Sequence, residues 1–296
     1  MSPEPTRVAG VAISNPDKVW WPDETITKSD VARFYAKLWP QIRPWLVDRP
    51  LMAERCPDGL RGGCFYQKDF PRGAQPAAAP RLVLRAESTG KDVHYIVGGT
   101  RQTLVSMVNL GCIAVHVMSS RAKRIREVDW LAFDLDPGSG EFADAAQAGL
   151  ALRRVLEDAR LRSYPKTSGS RGLHVFVPLR SGVSQGEAVA VASACGAELA
   201  RREPALVTIE HSKARRGGRV FADAFRNGFA QTIVAPYSVR RRPRAPVSTP
   251  LAWDEVSPRL DPARFNVRSF ERRLAGDDPW SDFWRRRQSI AASSIR

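Results

Sequence analysis

The chain has 296 residues, 43% of them apolar, enough to bury the core of one large domain or of two coupled ones. It has no run of about 18 apolar residues, and Met1 to Gly10 lacks the apolar stretch of a secretory leader, so no membrane span is expected and a cytoplasmic protein is. Forty-six Lys and Arg against 31 Asp and Glu leave a net charge of +15, which favours a polyanion, either nucleic acid or an acidic membrane surface; the alternative is a solvated basic face.

The predicted elements begin with a helix near Thr27. Thr27 and Asp30 form a capping-box pattern, and Val31, Phe34, Tyr35 and Leu38 follow at helical spacing up to Pro40. Residues 50–100 read as short strands and turns around the segment CFYQK. The four cysteines, Cys56, Cys64, Cys112 and Cys195, form no C-x-x-C pair and are read as reduced thiols. A helix over Arg101–Leu110 and a strand over Cys112–Met118 lead into the centre of the chain. There, strands are predicted over Asp129–Asp136, Gly172–Leu179, Ala205–Glu210 and Arg219–Phe225, with helices over Phe142–Asp158 and Gln185–Arg201. That order describes an α/β sheet of the RRM-like sort. The proline- and arginine-rich residues 238–250 are expected to cross the surface as an extended segment. From Phe270 a basic, aromatic tail holds Trp280 and Trp284 and should form one or two short helices, with the last eight residues frayed. Trp20, Trp21, Trp39 and Trp45 are read as packing residues, and His94 and His211 receive no role.

Three carboxylates carry the chemical signal. Asp134 and Asp136 lie two apart at the end of a predicted strand, so both point to one face. Two adjacent carboxylates repel each other, and a divalent cation such as Mg²⁺ or Mn²⁺ resolves the conflict. Pro137 and Gly138 then turn the chain away, which is expected to leave the pair at a sheet edge open to substrate. Asp223 interrupts an apolar run, where a lone acid needs a partner or a metal, and Arg216, Arg219 and Arg226 surround it in sequence. The bland reading is a surface turn and a salt-bridged acid.

A second signal is KTSGSRGLH, Lys166 to His174. Glycines let backbone amides approach a phosphate, Ser168 and Ser170 add donors, Arg171 adds a planar fork, and His174 can donate to the same group. The alternative is an ordinary turn, and no G-x-x-x-x-G-K loop is present.

Taken together, FDLDPG, TSGSRGLHVFVPL and RVFADAFRN…QTIVAPYSVRRRPRAPVSTPLAWDEV resemble the polymerase domain of bacterial ligase D, a member of the archaeo-eukaryotic primase superfamily. NPDKVWWP, TKSD, RCPDG and CFYQK fall in the matching order ahead of them. The resemblance implies one catalytic domain over 1–296: an N-terminal mixed α/β subdomain (about 10–115), an RRM-like catalytic core (about 116–255) and a C-terminal helical tail (about 256–296). It makes Asp134, Asp136 and Asp223 the metal carboxylates. It assigns Ser168, Arg171, His174, Arg216, Arg226 and Arg240 to the triphosphate, and His116, Phe65, Tyr66 and Lys68 to the rest of the nucleotide pocket. Lys18 and Lys28 match residues that hold a downstream 5′-phosphate, and Arg55 a DNA contact. Arg171 stands where lysine is common, and Ala224 where an aromatic is common.

The resemblance further implies nucleotidyl transfer from NTPs or dNTPs with two metal ions, with Mn²⁺ preferred to Mg²⁺ and a taste for ribonucleotides. The implied partners are DNA ends and 5′-phosphorylated gaps, nucleoside triphosphates, and Ku and a DNA ligase in non-homologous end joining. A monomer associated with the nucleoid is the simplest form. Two other readings remain open at this point: a binding module for nucleic-acid ends with no catalysis, and a phosphatase whose first Asp of D-x-D is the nucleophile.

Overall fold

The computed structural model describes residues 4–70, 79–87 and 89–290; the frayed end expected of the tail lies mostly outside them. The N-terminal part holds β1 (Arg7–Val8), β2 (Val11–Ala12), β3 (Val19–Trp21), β4 (Ile26–Thr27), α1 (Lys28–Lys37), α2 (Trp39–Leu46), β5 (Pro50–Arg55), β6 (Phe65–Gln67), β7 (Arg81–Arg85), β8 (Asp92–Val97), α3 (Arg101–Asn109) and β9 (Cys112–Val117). The central part holds β10 (Trp130–Pro137), α4 (Phe142–Asp158), β11 (Tyr164–Thr167), β12 (Leu173–Pro178), α5 (Gln185–Arg202), β13 (Val207–Thr208) and β14 (Val220–Asp223); β15 (Ile233–Val234) and α6 (Phe270–Leu274) come after it.

Local chemistry sets the helix starts. The Thr27 hydroxyl accepts from the Asp30 amide, and the Asp30 carboxylate accepts from the Thr27 amide at 2.9 Å. Ser184 and Glu187 repeat the same box at the head of α5. Pro40 falls in the first turn of α2, where its missing N–H removes no hydrogen bond.

Two sheets organise the chain. The first runs β15-β9-β5-β8-β7, with β6 added to β5. The second runs β11-β12-β10-β14-β13, antiparallel except where β13 pairs parallel to β14. Helices α4 and α5 pack on one face of this second sheet, burying Leu152, Val155, Leu156, Ala188 and Val191. The approach of α4 is close: a Cβ on Gly149 would come within 2.2 Å of the Leu173 side chain. Trp45, Trp130, Phe176, Trp280 and Phe283 form an aromatic cluster that fastens α2 and the C-terminal tail to the sheet. Trp20, Trp21 and Trp45 are buried and Trp39 is half-buried, as packing residues should be.

Several expectations change. The Asp134–Asp136 strand is the central strand of its sheet, flanked by β12 and β14, so the carboxylates sit at a strand end and not at a sheet edge. The loop expected ahead of β12 is a hairpin whose first arm is β11. The segment 238–250 does not cross the surface: Arg241–Arg244 are exposed, but Ser238, Val239 and 245–250 are buried, with bridges from Val239 to Val247 and from Pro250 to Lys166. Its apolar residues, and not its arginines, decide its depth. Finally, Cys56 and Cys64 are not thiols. They close the β5–β6 turn as a disulfide, with Cα atoms 4.4 Å apart, whereas Cys112 and Cys195 are free and buried.

Candidate active site

Strand register assembles the centre of the site. Lys166 pairs across to His174, His174 to Asp134, and Asp134 to Asp223. Directly paired residues share a face, so four functional side chains line up over four strands. Asp136 pairs with Phe221 two positions along, on the same face.

The row is bonded along its length. Lys166 Nζ lies 2.9 Å from His174 Nδ1, and His174 Nε2 lies 3.2 Å from Asp134 Oδ1. A carboxylate can only accept, so Nε2 carries the hydrogen and Nδ1 accepts from Lys166. Lys166 in turn donates to the Ser248 hydroxyl, which the buried segment 245–250 supplies. Arg226 Nε lies 3.2 Å from Asp223 Oδ2 and 3.4 Å from Asp134 Oδ2, a fixed cation between the two acids. Asn227 holds this turn against β10 by exchanging hydrogen bonds with the backbone of Ala132. Arg216 reaches Asp136 at 3.6 Å.

Electrostatics derive from burial. Burial alone would raise the Asp134 pKa, but His174, Arg226 and Lys166 outweigh it and hold the carboxyl well below its usual range. Asp223 goes the other way: burial raises it, with Arg226 only partly offsetting and Asp134 adding. Burial also pushes His174 down to about 4, helped by Lys166 and opposed by Asp134. Burial, with Arg240 adding, pushes Lys166 well below its ordinary value. At neutral pH the row is a neutral imidazole between the buried Lys166 and an ionised carboxylate.

The hairpin turn between β11 and β12 forms a cradle. The Ser168 hydroxyl accepts from the amides of Ser170 and Gly172, both at 3.1 Å. Arg240 donates to the Ser168 carbonyl at 2.8 Å. Gly169, at φ +69°, must lack a side chain, because a Cβ would stand 2.5 Å from Arg240 Cγ. Arg171 extends over Gly140 in the turn after β10. His116 closes this end. It is buried, its pKa is lowered by burial and then by Arg240, Lys166, Arg226 and His174, and Tyr66 packs edge-on at 5.5 Å.

The other expected residues lie further out. Phe65 and Tyr66 are adjacent on β6 and turn opposite ways: Tyr66 joins His116, while Phe65 lies beside Arg55 at 5.5 Å. They therefore do not form one stacked pair. Arg55 donates to the Leu110 carbonyl and to Gln67, and Lys68 is exposed. Lys18 and Lys28 do come together. Lys28 is lowered to about 8 by burial and then by Lys18; Lys28 donates to the Ser14 carbonyl and Lys18 to that of Pro57. Lys166, assigned to no role from the sequence, is the residue that reasoning missed. Its signal was its position, at the foot of the same turn that carries His174.

The donor set suits a hard divalent cation, since Asp134, Asp136 and Asp223 all offer carboxylate oxygens. Among the described residues no three acidic, imidazole or thiol groups are drawn into a closed cage, and Arg226 stands between two of the acids. Two buried nitrogens around the site, His116 Nε2 and Arg240 Nε, have no hydrogen-bond partner, a cost a ligand would remove. The arrangement fits a metal-bound anion entering over the row.

The fold and site define a nucleotidyltransferase domain of the primase-polymerase class. The sequence matches the LigD primase-polymerase domain over residues 27–280, and the chain belongs to that family. It is 33% identical over 266 residues to the multifunctional non-homologous end joining protein LigD of Mycolicibacterium smegmatis, covering 88% of this chain and 34% of that protein. It is 31% identical to the protein of the same name from Pseudomonas aeruginosa, covering 97% and 34%. The chain thus spans about a third of these relatives' length. Among solved structures, the polymerase domain from Mycobacterium tuberculosis ligase D in complex with DNA superposes with a TM-score of 0.85 at 30% identity, covering 94% of this chain and 99% of that one. Family membership carries metal-dependent nucleotidyl transfer with it. No helix among the described residues is long and apolar enough to cross a membrane.

Proposed function

We propose that this chain adds nucleotides to DNA 3′ ends at double-strand breaks and short 5′-phosphorylated gaps, from NTPs or dNTPs. The observation that carries the proposal is the in-register row Lys166–His174–Asp134–Asp223, with a cationic cradle at one end and Asp136 beside the other. Asp134, Asp136 and Asp223 are the residues to hold two Mn²⁺ or Mg²⁺ ions, which when bound neutralise phosphate charge and acidify the primer 3′-hydroxyl.

The chain's own residues do the positioning. Asp134 stays ionised because His174, Arg226 and Lys166 favour its charge. The amides and hydroxyls of the Ser168 turn, with Arg171, His174, Arg216, Arg226 and Arg240, orient the triphosphate and compensate charge on the leaving pyrophosphate. Tyr66 offers a ring face to the base, and His116 brings a free nitrogen to the nucleotide, with Phe65 and Lys68 at the pocket's outer margin. Lys18 and Lys28, already crowding each other's charge, suit a downstream 5′-phosphate, and Arg55 the DNA alongside. Residues 1–296 form one catalytic domain in this reading, monomeric and in the cytoplasm at the nucleoid, with Ku and a DNA ligase as partners.

Primer extension on a short gapped duplex with a downstream 5′-phosphate tests this, using NTPs or dNTPs with Mn²⁺ or Mg²⁺. The expected result is metal-dependent extension, lost in Asp136→Ala. DNA binding without extension under every condition would instead establish the end-binding module.

A further inference from the structure

In-line phosphoryl transfer places the attacking hydroxyl opposite the leaving pyrophosphate. The Ser168 turn and Arg240 lie at the Lys166–His174 end of the row, with Arg226 and Arg216 over the carboxylates, so the primer terminus arrives from beyond the Asp223–Asp136 end. That end carries an aromatic surface to which nothing above assigns a role. Phe225, two residues beyond Asp223, is 54% exposed, and its backbone N–H donates to Asp223 at 2.9 Å. Its ring packs edge-on against His211 at 4.9 Å, and His211 against Phe221 at 5.3 Å. The Arg216 guanidinium lies 3.9 Å over Phe221 and reaches Asp136. Named contacts therefore run unbroken from Phe225 back to the carboxylates.

A phenylalanine this exposed keeps apolar surface in water beside the half-buried Asp223, and covering that surface is favourable. Its surroundings indicate what. Between β13 and β14, residues 212–219 hold Lys213, Arg215, Arg216 and Arg219 and no acid. Glu210, just ahead, is already paired with Arg215 at 3.1 Å. Exposed ring faces beside a cationic loop are what single strands and strand ends use: stacking tolerates any base, and the cations take the phosphates. A small apolar cavity of about 90 Å³ beneath Phe225, bounded by Ile209, His211 and Ala224, gives the ring room to tilt as a base arrives.

We propose that Phe225, supported by His211, is the stacking platform for the 3′-terminal base of the primer strand, and that Lys213, Arg215 and Arg219 take the phosphates behind it. The inference rests on the polymerase reading above. Phe225 positions the primer and touches no incoming nucleotide, so its loss separates two substrates.

The test compares wild type with Phe225→Ala and Phe225→Trp, each first checked for unchanged thermal unfolding. The apparent KM for primer-template should rise about 5- to 100-fold in Phe225→Ala and recover in Phe225→Trp, with the KM for nucleotide unmoved in both. A primer ending in 2-aminopurine should be quenched on binding to wild type and to Phe225→Trp, and not by Phe225→Ala. Equal primer KM and equal quenching in Phe225→Ala would overturn the platform. If wild type extends nothing, the polymerase reading fails, and the quenching comparison still decides whether this surface stacks on a DNA end.

Discussion

The carboxylate row and the aromatic edge of the N-terminal sheet, both assigned to the nucleotide in the proposed function, are built in opposite ways. In the row, register on a central strand fixes every functional side chain, and Lys166 and His174 are buried and bonded to each other. At the edge, Phe65 is 48% and Tyr66 57% exposed, on a three-residue strand whose turn is closed by the Cys56–Cys64 disulfide. Register on a central strand leaves the row one geometry, whereas the edge presents rings to solvent. Fixed charges suit phosphoryl transfer, and exposed rings suit stacking on bases of any sequence.

Substitutions can sharpen this contrast. Lys166→Met should leave buried His174 Nδ1 without its donor, loosen the ring's orientation against Asp134 and lower kcat about 10- to 100-fold, with the nucleotide KM little changed. Steady-state kinetics check this, and a matching rise in KM would place Lys166 in binding instead. Tyr66→Ala should do the reverse, raising the nucleotide KM by about 5- to 100-fold for the loss of one stacking face while sparing kcat at saturation. A smaller effect concerns pH. Lys28, lowered to about 8, is charged below that value and loses charge as pH rises through it. The preference for a 5′-phosphorylated gap should therefore be full near neutrality and shrink by about fivefold in alkaline solution, and Lys28→Met should abolish that dependence in a binding titration. The smallest effect on catalysis belongs to Cys64→Ser. Opening so short a loop should lower stability by about 2 kcal/mol, visible in thermal unfolding, and leave the aspartate row working.

Sequence reasoning reached the parts that obey local rules. The Thr27–Asp30 box, the same-face pair Asp134 and Asp136, and the glycine turn after Ser168 all stand where residue chemistry placed them. The resemblance added His116, Tyr66 and the lysine pair Lys18–Lys28, which no spacing rule could connect to carboxylates so distant along the chain. What escaped was set by pairing at a distance. Strand β11 is four residues with Pro165 inside, tolerated because it is an edge strand, and it shows no alternation to read. Missing it meant missing Lys166. The turn PDGLRGG between Cys56 and Cys64 could have suggested a hairpin with facing sulfurs, though a spacing of eight matches no C-x-x-C pattern. Arginines in 240–244 concealed that Val239, Ala245 and Val247 anchor the segment inside.

The most direct test of the central claim is a paired measurement on Asp134→Ala: DNA-end binding by fluorescence anisotropy and primer extension on the same sample. The structure predicts retained DNA binding with extension reduced on the order of a thousandfold or more, the loss of several kcal/mol of metal-dependent stabilisation. Extension at the wild-type rate with Asp134 removed would contradict it, and the row of paired side chains would then need another purpose.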